Sequence, residues 1–305
     1  MTIVVTGASG AFGKMVTELL LRRVPASELI LVTRNPAGLA HLAAQGVQVR
    51  FGDFDKGNSL REAFAGAQRM LLISTLDVGE RRRRQHQTAI EAARQAGVEH
   101  VVYTSSAGIH PQSPAFVIAD HLFTEELIRK SGATYTILRD SQYAEVIATM
   151  IAPMAVATGR WESSAGDGCM AFVSKKDCVA VAASVLTTPG HDGAIYEITG
   201  PELLSFRDCA RIASEVTGKR IEFVPISHDE MQARFDAAGI PRRYVEGMTT
   251  GNIGPWGSEE MMSYERAIRE GYFAICSKHV QLITGQPALS LKDVYLANKS
   301  ALGMN

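Results

Sequence analysis

Short apolar runs alternate with stretches whose apolar positions recur at helical spacing along the first half of the chain. The runs are TIVVT (Thr2 to Thr6), LILVT (Leu29 to Thr33), VQVRF (Val47 to Phe51), MLLIS (Met70 to Ser74), HVVYT (His100 to Thr104) and TYTIL (Thr134 to Leu138). Helical patterns follow them at Val16 to Arg23, Leu39 to Gln45, Ser59 to Ala65, Arg81 to Gln95, Ala119 to Lys130 and Tyr143 to Met150. A strand that is apolar at every position has no face for water, so this alternation predicts an α/β chain with a doubly wound parallel sheet, helices covering both faces.

Past Pro153 the pattern changes. A Gly-rich loop at GRWESSAGDG (Gly159 to Gly168) precedes a helix over Lys175 to Leu186 and a strand AIYEIT (Ala194 to Thr199). SFRDCARIASEVTGK (Ser205 to Lys219) opens on an N-cap Ser with an acidic residue three later and ends at Gly218, the signature of a capped helix. The remainder reads as mostly helical. The expected organisation is a nucleotide-binding domain over 1–155, with a returning segment at about 175–200, and a smaller, mostly helical C-terminal cap over 156–305 that holds the substrate.

TGASGAFGK (Thr6 to Lys14) lies in the first strand-to-helix turn. There Gly7 serves the tight turn, Gly10 lets backbone approach a pyrophosphate, and Gly13 lets helix pack on strand. Ser9, Ala11 and Phe12 complete a loop whose amides open the helix toward phosphate oxygens. This is the Rossmann-like arrangement for a dinucleotide. The second strand ends in VTRNP, where Arg34 offers a cation to a 2'-phosphate in place of the acid that would bind a ribose hydroxyl, which favours NADPH over NADH. GDF (Gly52 to Phe54) ends the third strand, so Asp53 could meet the adenine amino group and Phe54 flank its ring. Ser74 and Thr75 end the fourth strand beside the cofactor's path.

Composition narrows the classes of partner. A formal charge of -1 gives no global attraction to nucleic acid or to an anionic membrane. The start MTIVVTG has no basic region and no run long enough to span a bilayer, so the expectation is a cytoplasmic protein with no membrane partner. Cys169, Cys178, Cys209 and Cys276 form no CxxC pair, which points to reduced, structural thiols and no metal. GERRRRQH (Gly79 to His86) could draw anions to a site mouth or be a solvated helix end. Met261, Met262, Trp256, Tyr264, Tyr272 and Phe273 could shape an apolar pocket or form cap core.

The motifs TGASGAFG, VPASELILVTRNP, FGDF, LLIST, AGVEHVVYTS, HLFTEELIRKSGATYTILR and GHDGAIYEITG, in this order, resemble the NmrA-like group of atypical short-chain dehydrogenases and reductases. Within it they are most similar to the bacterial NAD(P)H:quinone oxidoreductases and the triphenylmethane reductases. The resemblance covers Met1 to about Gly239. It implies NADPH on Gly7, Gly10, Gly13, Arg34, Asp53, Ser74 and Thr75, with Ser105, His121, Gln142 and Tyr143 near the nicotinamide. It also implies hydride transfer to a small aromatic or quinone substrate, needing neither flavin nor metal; homodimer formation stays open. Where the quinone reductases read LRNGWY this chain reads LRDSQY, with Asp140 for an Asn, and residues 250–273 look expanded.

A typical short-chain reductase protonates its product from a Tyr whose acidity a Lys four residues later raises. Here only Tyr295 and Lys299 have that spacing, far from the fifth strand, and with eight Tyr in the chain chance accounts for it. The acid candidate is therefore His121 in ADHLFTEELIRKSG, where related isoflavone and pinoresinol reductases carry a Lys, with Glu125 one turn on to orient it. Ser105 and Tyr143 complete the catalytic expectation. A strongly electrophilic acceptor needs positioning more than an acid. Two other readings stand beside reduction of a quinone-like electrophile: an NADP-sensing regulator without turnover, and a benzylic-ether or enone reductase using His121.

Overall fold

The computed structural model describes residues 1–243 and 256–304; the part of the expanded segment before Trp256 lies outside them. The sequence-predicted alternation is present. In chain order the elements are β1 (Ile3–Val5), α1 (Ala11–Leu20), β2 (Leu29–Thr33), α2 (Ala40–Ala43), β3 (Gln48–Phe51), α3 (Asn58–Phe64), β4 (Arg69–Leu72), α4 (Glu80–Gln95), β5 (His100–Ser106), α5 (Phe116–Lys130) and β6 (Thr134–Asp140). Then come α6 (Ala144–Val146), a π-helical turn (Ile147–Ile151), α7 (Ala152–Thr158), β7 (Arg160–Ser163), β8 (Cys169–Met170), α8 (Lys175–Thr187), β9 (Ala194–Ile198), β10 (Leu204–Ser205), α9 (Phe206–Thr217) and β11 (Glu222–Pro225). Helices α10 (His228–Ala237), α11 (Ser258–Arg269), α12 (His279–Thr284) and α13 (Leu291–Ala297) finish the described chain.

The main sheet has seven strands in the order β3-β2-β1-β4-β5-β6-β9. Its pairs β1·β2, β2·β3, β1·β4 and β4·β5 are parallel. The order turns back on itself between β1 and β4, the switch point at whose carboxyl edge doubly wound sheets take their ligands.

The chain forms two compact units. The first is Met1–Ser105, Asp120–Arg139 and Cys178–Tyr196; the second is Ser106–Ala119, Asp140–Asp177 and Glu197–Asn305. The core of the first sets Val4, Ile30, Val32, Met70, Leu72, Val101 and Tyr103 of the strands against Leu60, Phe64, Ala89, Ile90 and Ile128 of the helices. The continuous apolar strands are buried because both faces meet helices.

The second unit has its own core, built on Trp161, Phe172, Phe206, Phe273 and Tyr295. Helix α9 opens with the expected capping box, Ser205 and Asp208 each accepting the other's backbone N–H. Four short strands interrupt a region that reads as helical: β11 pairs parallel with β7, and β10 antiparallel with β8. The expected pocket aromatics take the core alternative, with Tyr264 tilted against Phe273 at 4.4 Å and Trp256 edge-on to Tyr264 at 6.1 Å.

Candidate active site

The loop after β1 has the geometry the glycines predict. Gly7 has φ +59°, which an L side chain would strain. A Cβ on Gly13 would fall against the carbonyl oxygen of Gly7 and 2.7 Å from Ala8 Cα, so only glycine fits there. Gly10 is the N-cap of α1, in extended conformation with no side-chain cap, so the helix start is open to oxygens from a ligand. Gly7, Ser9, Gly10 and Ala11 are exposed, whereas Phe12 is buried. Thr33 at the end of β2 steadies the loop by donating its hydroxyl proton to Ser9 Oγ at 2.8 Å. These residues fit the pyrophosphate of a dinucleotide.

Arg34 is exposed, with no hydrogen bond or ion pair among the described residues, as a group awaiting a phosphate would be. Asp53 is engaged locally: its carboxylate accepts the Asp55 N–H at 3.1 Å and its own N–H donates to Ser59 Oγ at 3.0 Å. Phe54 packs half-buried against the first unit's core. Ser74 and Thr75 are fixed through their backbones, Ser74 N–H donating to Thr104 Oγ1 at 2.9 Å and Thr75 N–H to His86 Nε2 at 3.1 Å.

His121 does not stand free. It is 5% exposed, with Nδ1 2.7 Å from the Tyr103 hydroxyl and Nε2 3.3 Å from Arg82 Nη1. An arginine only donates, so Nε2 must accept, and the proton sits on Nδ1 and points at Tyr103 Oη. Burial first, then the Arg82 charge and the neighbouring His86, push the His121 pKa well below the usual imidazole value. His86 is likewise interior and not at an entrance. Its Nε2 accepts from Thr75, so Nδ1–H donates to Thr124 Oγ1 at 2.9 Å, and burial with the Arg82 charge brings its pKa down to about 3. Thr124, which also hydrogen-bonds the Tyr103 hydroxyl, passes its own proton to the Asp120 carbonyl at 2.9 Å.

Glu125 does not orient His121. It is fully buried and accepts from Ser105 Oγ at 2.7 Å, from Arg139 at 3.0 and 2.8 Å, and from Arg129 at 2.8 Å. Burial alone would raise its pKa, but these hydrogen bonds outweigh it and hold the carboxylate below its ordinary range. Ser105 is thereby committed as a donor to Glu125. The expected helical-turn pair is thus replaced by two long-range partnerships, His121 with α4 and Glu125 with β6.

The arginine run is mostly self-neutralised. Arg81 pairs with Asp55 and Asp77, Arg83 with Asp120, and Arg84 with Glu80. Asp120 also accepts the Gly79 N–H at 2.7 Å, tying the loop before α4 to α5. Arg82 differs: it is 4% exposed and, among the described residues, its one hydrogen bond is to His121 and its Nε has no partner.

Sequence reasoning missed Arg82, Tyr103, Thr124 and Arg139. The signals were present: Tyr103 and Ser105 share a strand face at period two, and Arg82 and His86 share a helix face at i,i+4. In the second unit, Tyr143 donates its hydroxyl to Asp140 Oδ2 at 3.1 Å and carries the Lys175 ammonium 5.3 Å from its ring centre. Gln142 accepts the Val173 N–H through its carbonyl. Tyr295 is buried and donates to the Cys209 carbonyl at 3.3 Å, so its Tyr-Lys spacing is structural.

A glycine cradle at the switch point of a doubly wound sheet, with a free cation after β2, defines an NADPH-binding protein. The chain belongs to the NAD(P)H-binding family whose model matches residues 7–189. It is an NADPH-binding oxidoreductase of the NmrA-like group. The chain is 35% identical over 253 residues to quinone oxidoreductase 2 of Escherichia coli (strain K12), covering 83% of this chain and 87% of the relative. Among solved structures it is similar to the NADPH complex of an NADPH-dependent quinone oxidoreductase from E. coli, with TM-score 0.86, 31% identity, and coverage of 97% of this chain and 99% of that one. It is equally similar to the triphenylmethane reductase of Citrobacter sp. complexed with NADP(H), with TM-score 0.84, 31% identity, and coverage of 98% and 100%.

Proposed function

We propose that this protein passes a hydride directly to a quinone or a similarly conjugated aromatic electrophile, and that the accompanying proton comes from water. Gly7, Gly10 and Gly13 would hold NADPH at its pyrophosphate and Arg34 at its 2'-phosphate, and the cofactor so held would supply the hydride. The first unit serves the cofactor, and Ser74 and Thr75 border it at the end of β4. The second unit, including Tyr143, serves the substrate.

The observation that carries this reading is His121 closed between Arg82 and Tyr103. A neutral imidazole with both ring nitrogens engaged has no proton to spare, so His121 is a positioning residue. It holds Tyr103 beneath β5 while His86 holds Thr75. A benzylic ether or an ordinary enone needs an acid at the moment of transfer; a quinone or a dye does not. The names of the relatives support the same acceptor class.

The test is NADPH oxidation by the purified protein with quinones, dyes and lignan-like compounds, repeated with His121→Asn. Acceptor-dependent oxidation is expected for quinones or dyes, with the variant slowed by less than about tenfold. A loss of roughly 10²- to 10⁴-fold, the size of a removed general acid, would restore His121 as donor. Tight NADPH binding with no oxidation by any acceptor would make the protein a sensor.

A further inference from the structure

Among the described residues of the first unit, Arg82 is the one buried charged side chain with no opposite charge within ion-pair reach. Asp120 is paired with Arg83 and Asp77 with Arg81, so these carboxylates act on Arg82 only from beyond ion-pair distance, and the single carboxylate of Glu125 is shared by Arg129 and Arg139. A guanidinium stays protonated even here. His121 Nε2 needs a donor, but a neutral one would serve it, and burying a charge without an ion pair costs free energy, so stability gives no reason for a cation at this position.

Its position does. Arg82 lies one turn before His86, which holds the Thr75 N–H at the end of β4, and it touches His121 beneath β5. The charge therefore sits behind the carboxyl ends of the two strands next to the switch point, in an interior that screens it weakly. We propose that Arg82 is a specificity-determining residue whose directly unpaired charge favours acceptors that become anions on reduction and disfavours acceptors that arrive as cations.

This rests on the reductase reading above. Hydride carries two electrons and one hydrogen to the acceptor, while NADPH leaves as NADP⁺. A neutral quinone thereby becomes a hydroquinone monoanion, which takes a proton from water. A cationic triphenylmethane dye becomes a neutral leuco compound and needs no proton. A fixed positive charge stabilises the first product and opposes the binding of the second substrate.

The experiment compares wild type, Arg82→Met and Arg82→Lys, using 1,4-naphthoquinone and crystal violet. Two quantities are read: kcat/KM for each acceptor, and the dissociation constant of crystal violet without NADPH from its absorbance. The Met variant should reduce the quinone on the order of tenfold more slowly and bind the dye on the order of tenfold more tightly, the scale of one charge acting across about 10 Å at an effective dielectric near 20. The Lys variant should stay near wild type in both. Equal changes for both acceptors, or unaltered dye affinity, would overturn the proposal. Should the Met variant not fold, Arg82→Gln carries the same comparison. A wild type that oxidises NADPH with neither acceptor refutes the reductase reading instead, and the dye affinity still reports on the charge.

Discussion

The backbone N–H of Thr75 donates to His86 Nε2 at 3.1 Å, and because an amide can only donate, His86 is held as the Nδ1–H tautomer that bonds Thr124. A backbone group at the end of β4 thus sets the protonation of a side chain on α4.

Stability should therefore fall on mild acidification. The folded pKa of His86, about 3, lies below its unfolded value near 6.5. Its contribution is complete above that unfolded value and is lost as pH drops toward 3, at ~1.4 kcal/mol per pH unit. His121 acts in the same direction. In His86→Gln, which keeps an acceptor for Thr75, urea unfolding between pH 6.5 and 5 should show a slope smaller by about one proton. An unchanged slope would mean that His86 titrates normally in the folded protein.

Gly13→Ala places a methyl group against the Gly7 carbonyl and Ala8. Overpacking of this kind costs about 1–3 kcal/mol and displaces the phosphate cradle. NADPH affinity, followed by quenching of protein fluorescence, should fall about tenfold or more, and Gly10→Ala, which puts a methyl group at the open helix start, should weaken it as well while costing less stability, its Cβ standing 3.2 Å from the Gly7 oxygen. Unchanged NADPH affinity in both variants would place the cofactor elsewhere.

Arg34→Ala should separate the two nicotinamide cofactors. Losing a charge-assisted bond to the 2'-phosphate costs roughly 1.5–3 kcal/mol, so NADPH should weaken by more than about tenfold while NADH stays within about twofold. Calorimetric titration of both decides it, and an unchanged ratio of dissociation constants refutes the role of Arg34.

Glu125→Ala leaves Arg139 and Ser105 facing an empty site in the interior. Breaking a buried pair on one side costs about 3–5 kcal/mol, and replacing Glu125 and Arg139 together by Met should cost less than the single change. Denaturant midpoints test the order. A single variant within about 1 kcal/mol of wild type would show that the cluster is solvated.

The βα alternation was legible because both periodicities are local: LILVT is apolar up to its closing Thr33 and buried at every position. The glycine loop was legible for the same reason. Strands β7 and β11 were not, since RWES and EFVP carry no alternation long enough to read, and each exists because the other pairs with it. The run from Tyr143 to Met150 promised one helix, whereas the chain passes through a π turn before α7 starts at Ala152. In the site, the i,i+4 rule joined His121 to Glu125. Tertiary partners won instead, Arg82 lying 39 positions before His121 and Arg139 14 positions after Glu125.

The buried polar chain has two arms, one starting at the Arg82 guanidinium and one at the Thr75 amide, and both end at the Asp120 carbonyl through Thr124. Both starting groups can only give and the terminal group can only take, so no bond in either arm can reverse. The chain is an insulator rather than a wire: it gives the interior behind β4 and β5 no path along which a proton could be handed back.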